Sequence, residues 1–232
     1  MATVRKNQSA LTPQEWADLI DAINKLHGVQ AAAPAYRAFV KVHVQAMTMG
    51  STGMSWRVHT MGPGMPGVNF LAWHRRLILR FEQRLQKVHP AIALPYWDAI
   101  TDRQLPAALS DSALLKSWSV TRAWNPGELP TAADLNALSG LTTFTAFQSA
   151  LESTVHNAVH RAVGGDMATA ASPADPVFFL HHANVDRLWA AWQKAHPGQA
   201  PPNKTESLKP KPLFGVKVAD LLSIGTLGYG YQ

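Results

Sequence analysis

The chain has 232 residues, 47% of them apolar and 16% charged, and it contains no cysteine. That length is one large domain or two small ones with enough chain to bury a substantial core, and the missing thiols exclude disulfides, Cys-ligated zinc, iron–sulfur clusters and thiol catalysis. The net charge of +6 arises from 21 Lys and Arg offset by 15 acids. The basic residues are spread out, without the runs interleaved with aromatics that nucleic-acid binding uses, so no nucleic-acid partner is expected. Met1 to Ala10 has no apolar signal-peptide region, and no apolar run is long enough to span a bilayer, so no membrane partner is expected either.

Taken in chain order, the signals are mainly helical. Thr12-Pro13-Gln14-Glu15 is a capping box with proline at the first helical position. Trp16, Leu19, Ile20, Ile23 and Leu26 follow at helical spacing, and Gly28 closes the helix. A second helix is predicted from near Pro34, with Tyr36, Val40, His43, Val44 and Met47 on one stripe. A third carries His74, Leu77, Ile78, Phe81, Leu85 and Val88 on one side and is ended by Pro90. Pro95 to Pro130 is looser, with short elements at most. A fourth helix is predicted over about 143–163 and a fifth over about 176–195. The proline-rich stretch from Pro197 to Pro212 reads as extended chain wrapping the domain. The pattern is one mainly α domain, residues 1–232.

The ten histidines divide into two sets. His27, His89 and His196 each precede a glycine or proline at a predicted helix C-terminus, where imidazole can bond free carbonyls. The others behave differently. His43 and His74 lie on apolar stripes. His156 and His160 are one helical turn apart on one face, a spacing that lets two imidazoles bind one metal. In the fifth helix Phe178, His182, Val185, Trp189 and Trp192 share a stripe, with His181 rotated about 100° from it, so His182 is expected to point inward. Buried imidazoles need partners, and several helices aiming them into one core favour a metal site. His43, His59, His74, His156, His160 and His182 supply six nitrogens, enough for two three-coordinate sites. Imidazole suits copper, zinc, iron or nickel, but di-iron bundles and two-metal hydrolases use bridging carboxylates that are scarce here, which points to copper.

The sequence resembles the type-3 copper proteins, most closely the bacterial tyrosinases. The resemblance runs through Phe70-Leu71-Ala72-Trp73-His74-Arg75-Arg76, Phe81-Glu82 and Leu94-Pro95-Tyr96-Trp97-Asp98. It continues in His156-Asn157-Ala158-Val159-His160, Gly164-Gly165-Asp166-Met167, Ser172-Pro173-Ala174-Asp175-Pro176-Val177-Phe178-Phe179-Leu180-His181-His182 and Asp186-Arg187-Leu188-Trp189. Tyr229-Gly230-Tyr231 is similar to the family's closing tyrosine motif, which Arg5 is expected to meet. The resemblance implies a four-helix bundle core around a binuclear copper site, with long wrapping loops, little β structure and no covering C-terminal domain. It implies a first copper on His43, His59 and His74 and a second on His156, His160 and His182, with dioxygen as co-substrate. The implied activity is ortho-hydroxylation of monophenols and oxidation of o-diphenols to o-quinones. The alternatives are a catechol or o-aminophenol oxidase, a haemocyanin-like dioxygen carrier, and a di-zinc hydrolase. Small phenols are the implied substrates. A copper-delivery partner protein, with which some bacterial relatives leave the cell, is compatible with either a cytoplasmic or an exported chain.

By the same resemblance Glu152 and Asn157 would hold a water that accepts the phenol proton, Glu152 sharing a helical face with His156 and His160; the alternative is that Glu152 orients a ligand histidine. Arg161 and Ala170 would flank the substrate, and Asp186, one turn after His182, would orient a ligand imidazole. The chain also departs from the family. Fourteen residues separate His59 from His74, roughly twice the usual number, so the loop Thr60 to Asn69 is expanded. Ala72 and Ala99 stand where the family usually has proline and tryptophan, and Ile100 to Thr143 is short, so the substrate-facing loops are expected to be trimmed. Without cysteine there is no thioether to a copper histidine. Met47, Met49, Met54, Met61 and Met65 crowd the segment around His59; thioethers are soft Cu(I) ligands suited to loading copper or covering the site, although methionine also fills gaps.

Overall fold

The structure is a computed structural model that describes residues 3–28, 35–49, 57–210 and 215–232. Helix α1 (Pro13–His27) starts at the expected box: Thr12 Oγ1 accepts from the Glu15 N–H, and Glu15 Oε2 accepts from the Thr12 N–H. It buries Leu19, Ala22, Ile23 and Leu26. Helix α2 spans Ala35–Met49; its expected start near Pro34 lies outside the described residues. Helix α3 (Phe70–Leu85) ends before Pro90 as predicted, and it packs along α8 (Val177–Ala195). The looser stretch contains α4 (Ser112–Trp118). After it comes α5 (Ala132–Ser139), an unexpected helix whose start is nevertheless written in the sequence as the Thr131 to Asp134 capping box.

The predicted fourth helix is three pieces on one axis of chain. Helix α6 (Phe144–Leu151) and α7 (Asn157–Val163) are joined by a π-helical turn over Glu152–His156. In that turn the Asn157 N–H reaches back five residues to the Glu152 carbonyl. Helices α2, α3, α6–α7 and α8 form the expected bundle, with little strand. Strands β1 (Thr3–Arg5) and β2 (Tyr229–Tyr231) pair in parallel, Val4 opposite Gly230. The core is aromatic: Phe81 and Phe179 stack at 3.5 Å between centroids, with Phe39 and Tyr36 edge-on to them. Such pairs add directional preference to area burial, which holds α2, α3 and α8 in one register.

The proline-rich segment lies against this bundle. Leu208 is fully buried and the Lys209 carbonyl accepts from Trp73 Nε1 at 2.8 Å, beside His74 in sequence. Among the described residues no helix is long and apolar enough to cross a membrane.

Candidate metal centre

His43 comes from α2, His74 from α3 and His59 from the loop between them. Their rings lie 4.9–5.8 Å apart by centroid, and the three offer nitrogens within 4.8 Å of one another. His43 Nδ1 donates to the Ala170 carbonyl at 2.7 Å, and His74 Nδ1 to the Phe70 carbonyl one turn back at 2.8 Å. A carbonyl only accepts, so each Nδ1 carries the proton and each Nε2 is left with a lone pair. The expanded loop does bring His59 in. Thr60 donates to Glu152 from both its N–H (2.8 Å) and its Oγ1 (2.7 Å), and His59 Nδ1 stands 3.3 Å from Glu152 Oε1. Gly67 then closes the loop against the chain beside His59, where a Cβ would lie only 2.6 Å from the Val58 carbonyl oxygen.

The second group is His156, His160, His181 and His182. His160 Nδ1 donates to the Met167 carbonyl at 2.6 Å, and His156 Nδ1 to Asn157 Oδ1 at 2.9 Å. The Met167 carbonyl is positioned by Gly164 and Gly165, both at positive φ, whose α-carbons press on the chain at Thr121 and Ala123. A side chain at Gly165 would meet the Thr121 carbonyl oxygen at 2.2 Å, so only glycine fits. His182 is oriented by stacking: it lies 4.1 Å from the His74 ring at 10° and 4.1 Å from Phe178. The His74–His182 stack joins the two groups.

The donor set suits a pair of metal ions. Nε2 of His43, His59, His74, His156, His160, His181 and His182 is buried without a partner in every case. An unsatisfied buried polar atom costs roughly 1–3 kcal/mol, so seven in the two groups call for something that accepts their lone pairs. Burial also keeps His43, His74, His156, His160 and His182 neutral, as a metal ligand must be. Burial and the neighbouring His59 push His43 down to about 3, burial lowers His160 to about 4, and burial first holds His74, His156 and His182 well below the usual histidine range. Neither group includes a carboxylate among the described residues, and an all-imidazole pair matches copper.

Several expectations need correction. Asp186 does not orient an imidazole: its carboxylate accepts from Arg75 Nε, from Tyr229 Oη at 2.7 Å and from Tyr231 Oη at 2.5 Å, with Arg5 Nη1 at 3.4 Å. Two buried guanidinium groups attract a carboxylate far more strongly than a neutral ring does. Arg5 meets the tyrosine motif as expected, over the Tyr229 ring at 3.8 Å. His181 is as buried as His182, because the first half of α8 is covered on all sides and a stripe no longer separates inward from outward. The π-helical turn breaks the regular face assumed for Glu152, His156 and His160, and Glu152 is engaged by the His59 loop. Of the three set-aside histidines, His196 bonds its helix end at Trp192; His89 instead pairs with Asp21, and His27 stacks on Tyr36 at 3.8 Å.

A cleft of about 310 Å³ opens over the imidazoles. His43, His59, His156 and His160 line it together with Met47, Asn157, Arg161 and the segment Met167 to Ala170. Glu152 borders a different, smaller cavity with Thr60 and Gln148, so the cleft holds Asn157 but not Glu152. Met61 and Met65 lie on the expanded loop, exposed by 39% and 40%, and are not among the described lining residues of the cleft. Met54 and the Met49 side chain lie outside the described residues.

The sequence matches the family profile of the common central domain of tyrosinase over residues 33–123 and 115–195. It is 35% identical to a tyrosinase of Streptomyces antibioticus, covering 84% of each chain. It is 36% identical to a tyrosinase of Streptomyces galbus, covering 95% of this chain and 96% of that one. In structure it is similar to a functional unit of octopus hemocyanin, with a TM-score of 0.80 at 25% identity, over all of this chain and 68% of the other.

Proposed function

This chain belongs to the tyrosinase family of binuclear copper oxidoreductases, and from that premise we propose that it hydroxylates monophenols at the ortho position and oxidises o-diphenols to o-quinones with dioxygen. The observation that carries an enzyme over a dioxygen carrier is the open cleft of about 310 Å³ that reaches four imidazoles. In this reading His43, His59 and His74 hold one copper and His156, His160 and His182 the other. When bound, the copper pair supplies the redox chemistry that reduces dioxygen at the expense of the phenol.

The chain's own residues do the rest. The Ala170, Phe70 and Met167 carbonyls and Asn157 Oδ1 hold four Nδ1 protons and so aim four Nε2 lone pairs at the metals. Phe70 and Phe178, both fully buried, pack against the rings and back them with apolar surface. Monophenols need more, because a phenol with pKa near 10 must lose its proton first. We assign that task to Asn157 and Glu152, acting through a water between them.

A second reading, diphenol oxidation alone, is favoured by one observation. Both Glu152 oxygens already accept from Thr60, and one of them faces His59, which leaves the carboxylate a holder of that ring. Oxygen uptake by Glu152→Gln on a monophenol and on its matching catechol separates the two. The base-assisting role predicts a fall of about tenfold or more on the monophenol with the catechol rate largely kept. Equal losses on both assign Glu152 to holding His59.

A further inference from the structure

Arg161 is the one side chain of fixed charge among the described residues lining the cleft. It does not face the cleft unopposed. Its Nε donates to Glu128 Oε2 at 3.1 Å, and both side chains are about half exposed. The backbone holds that carboxylate there. Glu128 ends a short helical turn, Pro126–Glu128, and the chain leading into it is fastened along α7. Ala123 N–H donates to the Val163 carbonyl at 2.9 Å and Asn125 N–H to the Ala162 carbonyl at 2.7 Å. Arg103 clamps the turn from the other side, through the Pro126 and Pro130 carbonyls. Other acids nearby are committed elsewhere: Asp166 to Thr121, and Asp175 to Arg122.

Resting on the phenol-oxidase reading above, we propose that Glu128 is a specificity-determining residue of the cleft. By pairing with Arg161 it withholds the guanidinium from phenols with an anionic tail and so favours neutral or cationic ones. An exposed ion pair is weak, so an incoming carboxylate competes with Glu128 for the same guanidinium on nearly equal terms. Removing the Glu128 charge leaves Arg161 free to bind such a tail and turns the mouth more positive by one unit. Nothing is displaced from the copper ligands in either state, so the discrimination falls on binding of the tail.

The test uses the copper-loaded protein with three catechols: hydrocaffeate (anionic tail), dopamine (cationic tail) and methylcatechol (uncharged). Their kcat/KM values are compared in wild type, Glu128→Gln and Arg161→Gln. In Glu128→Gln the hydrocaffeate-to-dopamine ratio is expected to rise about threefold or more at low salt and to return toward the wild-type ratio near 0.5 M salt. In Arg161→Gln the ratio falls, with Glu128 left facing the tail alone. An unchanged ratio in Glu128→Gln while methylcatechol is still oxidised overturns the proposal, as does a change that salt leaves intact. If the wild type takes up no oxygen with any of the three, the phenol-oxidase reading fails, and this proposal with it.

Discussion

His156 and Asn157 give the clearest case of a single residue tuning the centre. Asn157 is exposed, yet its Oδ1 accepts from the Nδ1–H of a buried ring and so fixes which nitrogen is free. Partners that orient a ligand imidazole typically contribute ten- to a hundredfold in metal affinity. Asn157→Ala is therefore expected to lower copper affinity about tenfold without unfolding the chain, as read by competition against a chelator. Unchanged affinity would mean that packing alone orients His156. The three carbonyl acceptors of the Nδ1 protons were beyond reach of the sequence, because Phe70, Ala170 and Met167 act through their backbones and any residue has a carbonyl. What the sequence did carry was the set of imidazoles that the fold gathers into two groups, His181 excepted, since imidazole at helical spacing on apolar stripes has few other physical explanations.

At the scale of elements, legibility followed the regularity of the helix. α1 was readable to the residue from Thr12, Pro13, Glu15 and Gly28, all of which act locally. α6 and α7 were readable as one helix but not as two around a π-helical turn, because the extra residue leaves no mark in composition while it rotates Glu152 toward Thr60. α8 hid His181 for the opposite reason: its first half is covered on every side and has no informative stripe. The α1–α2 contact carries a pH dependence of its own. Burial, aided by Arg37, lowers His27 to about 4. As pH falls below the usual histidine value, the unfolded chain takes up this proton before the folded one does, so His27 draws stability down between about pH 6.5 and 4. Replacing it by Phe keeps the stack on Tyr36 and is expected to flatten that part of the unfolding midpoint-against-pH curve. Parallel curves for the two proteins would contradict this.

For the molecule as a whole, two short strands and α8 are fastened by one buried charge cluster. Arg5 and Arg75 are fully buried, Arg5 pairing with Glu82 at 2.7 Å and both guanidinium groups with Asp186, to which Tyr229 and Tyr231 also donate. Burial alone would raise the Asp186 carboxyl, but Arg75 and Arg5 outweigh it and hold it below the usual carboxylate range. Its contribution is thus complete above about pH 5 and is lost as pH falls through the depressed value. Asp186→Asn leaves Arg75 buried without a carboxylate partner, while Arg5 keeps Glu82, and is expected to cost about 3 kcal/mol or more at neutral pH, with the gap to wild type closing below about pH 4. A gap independent of pH would mean that shape, not charge, is what Asp186 supplies. The Tyr-Gly-Tyr motif and Arg5 were recognisable in sequence, but their shared partner was not, because Asp186 lies far along the chain from both and was read by its nearer neighbour His182.

The bundle, the two imidazole groups and the cleft converge on one claim, that two copper ions act together on phenols. Adding copper stepwise to the metal-free protein while following oxygen uptake on methylcatechol tests it directly. Uptake is predicted to rise to a plateau at two copper ions per chain; a plateau at one, or no uptake at any ratio, would contradict it.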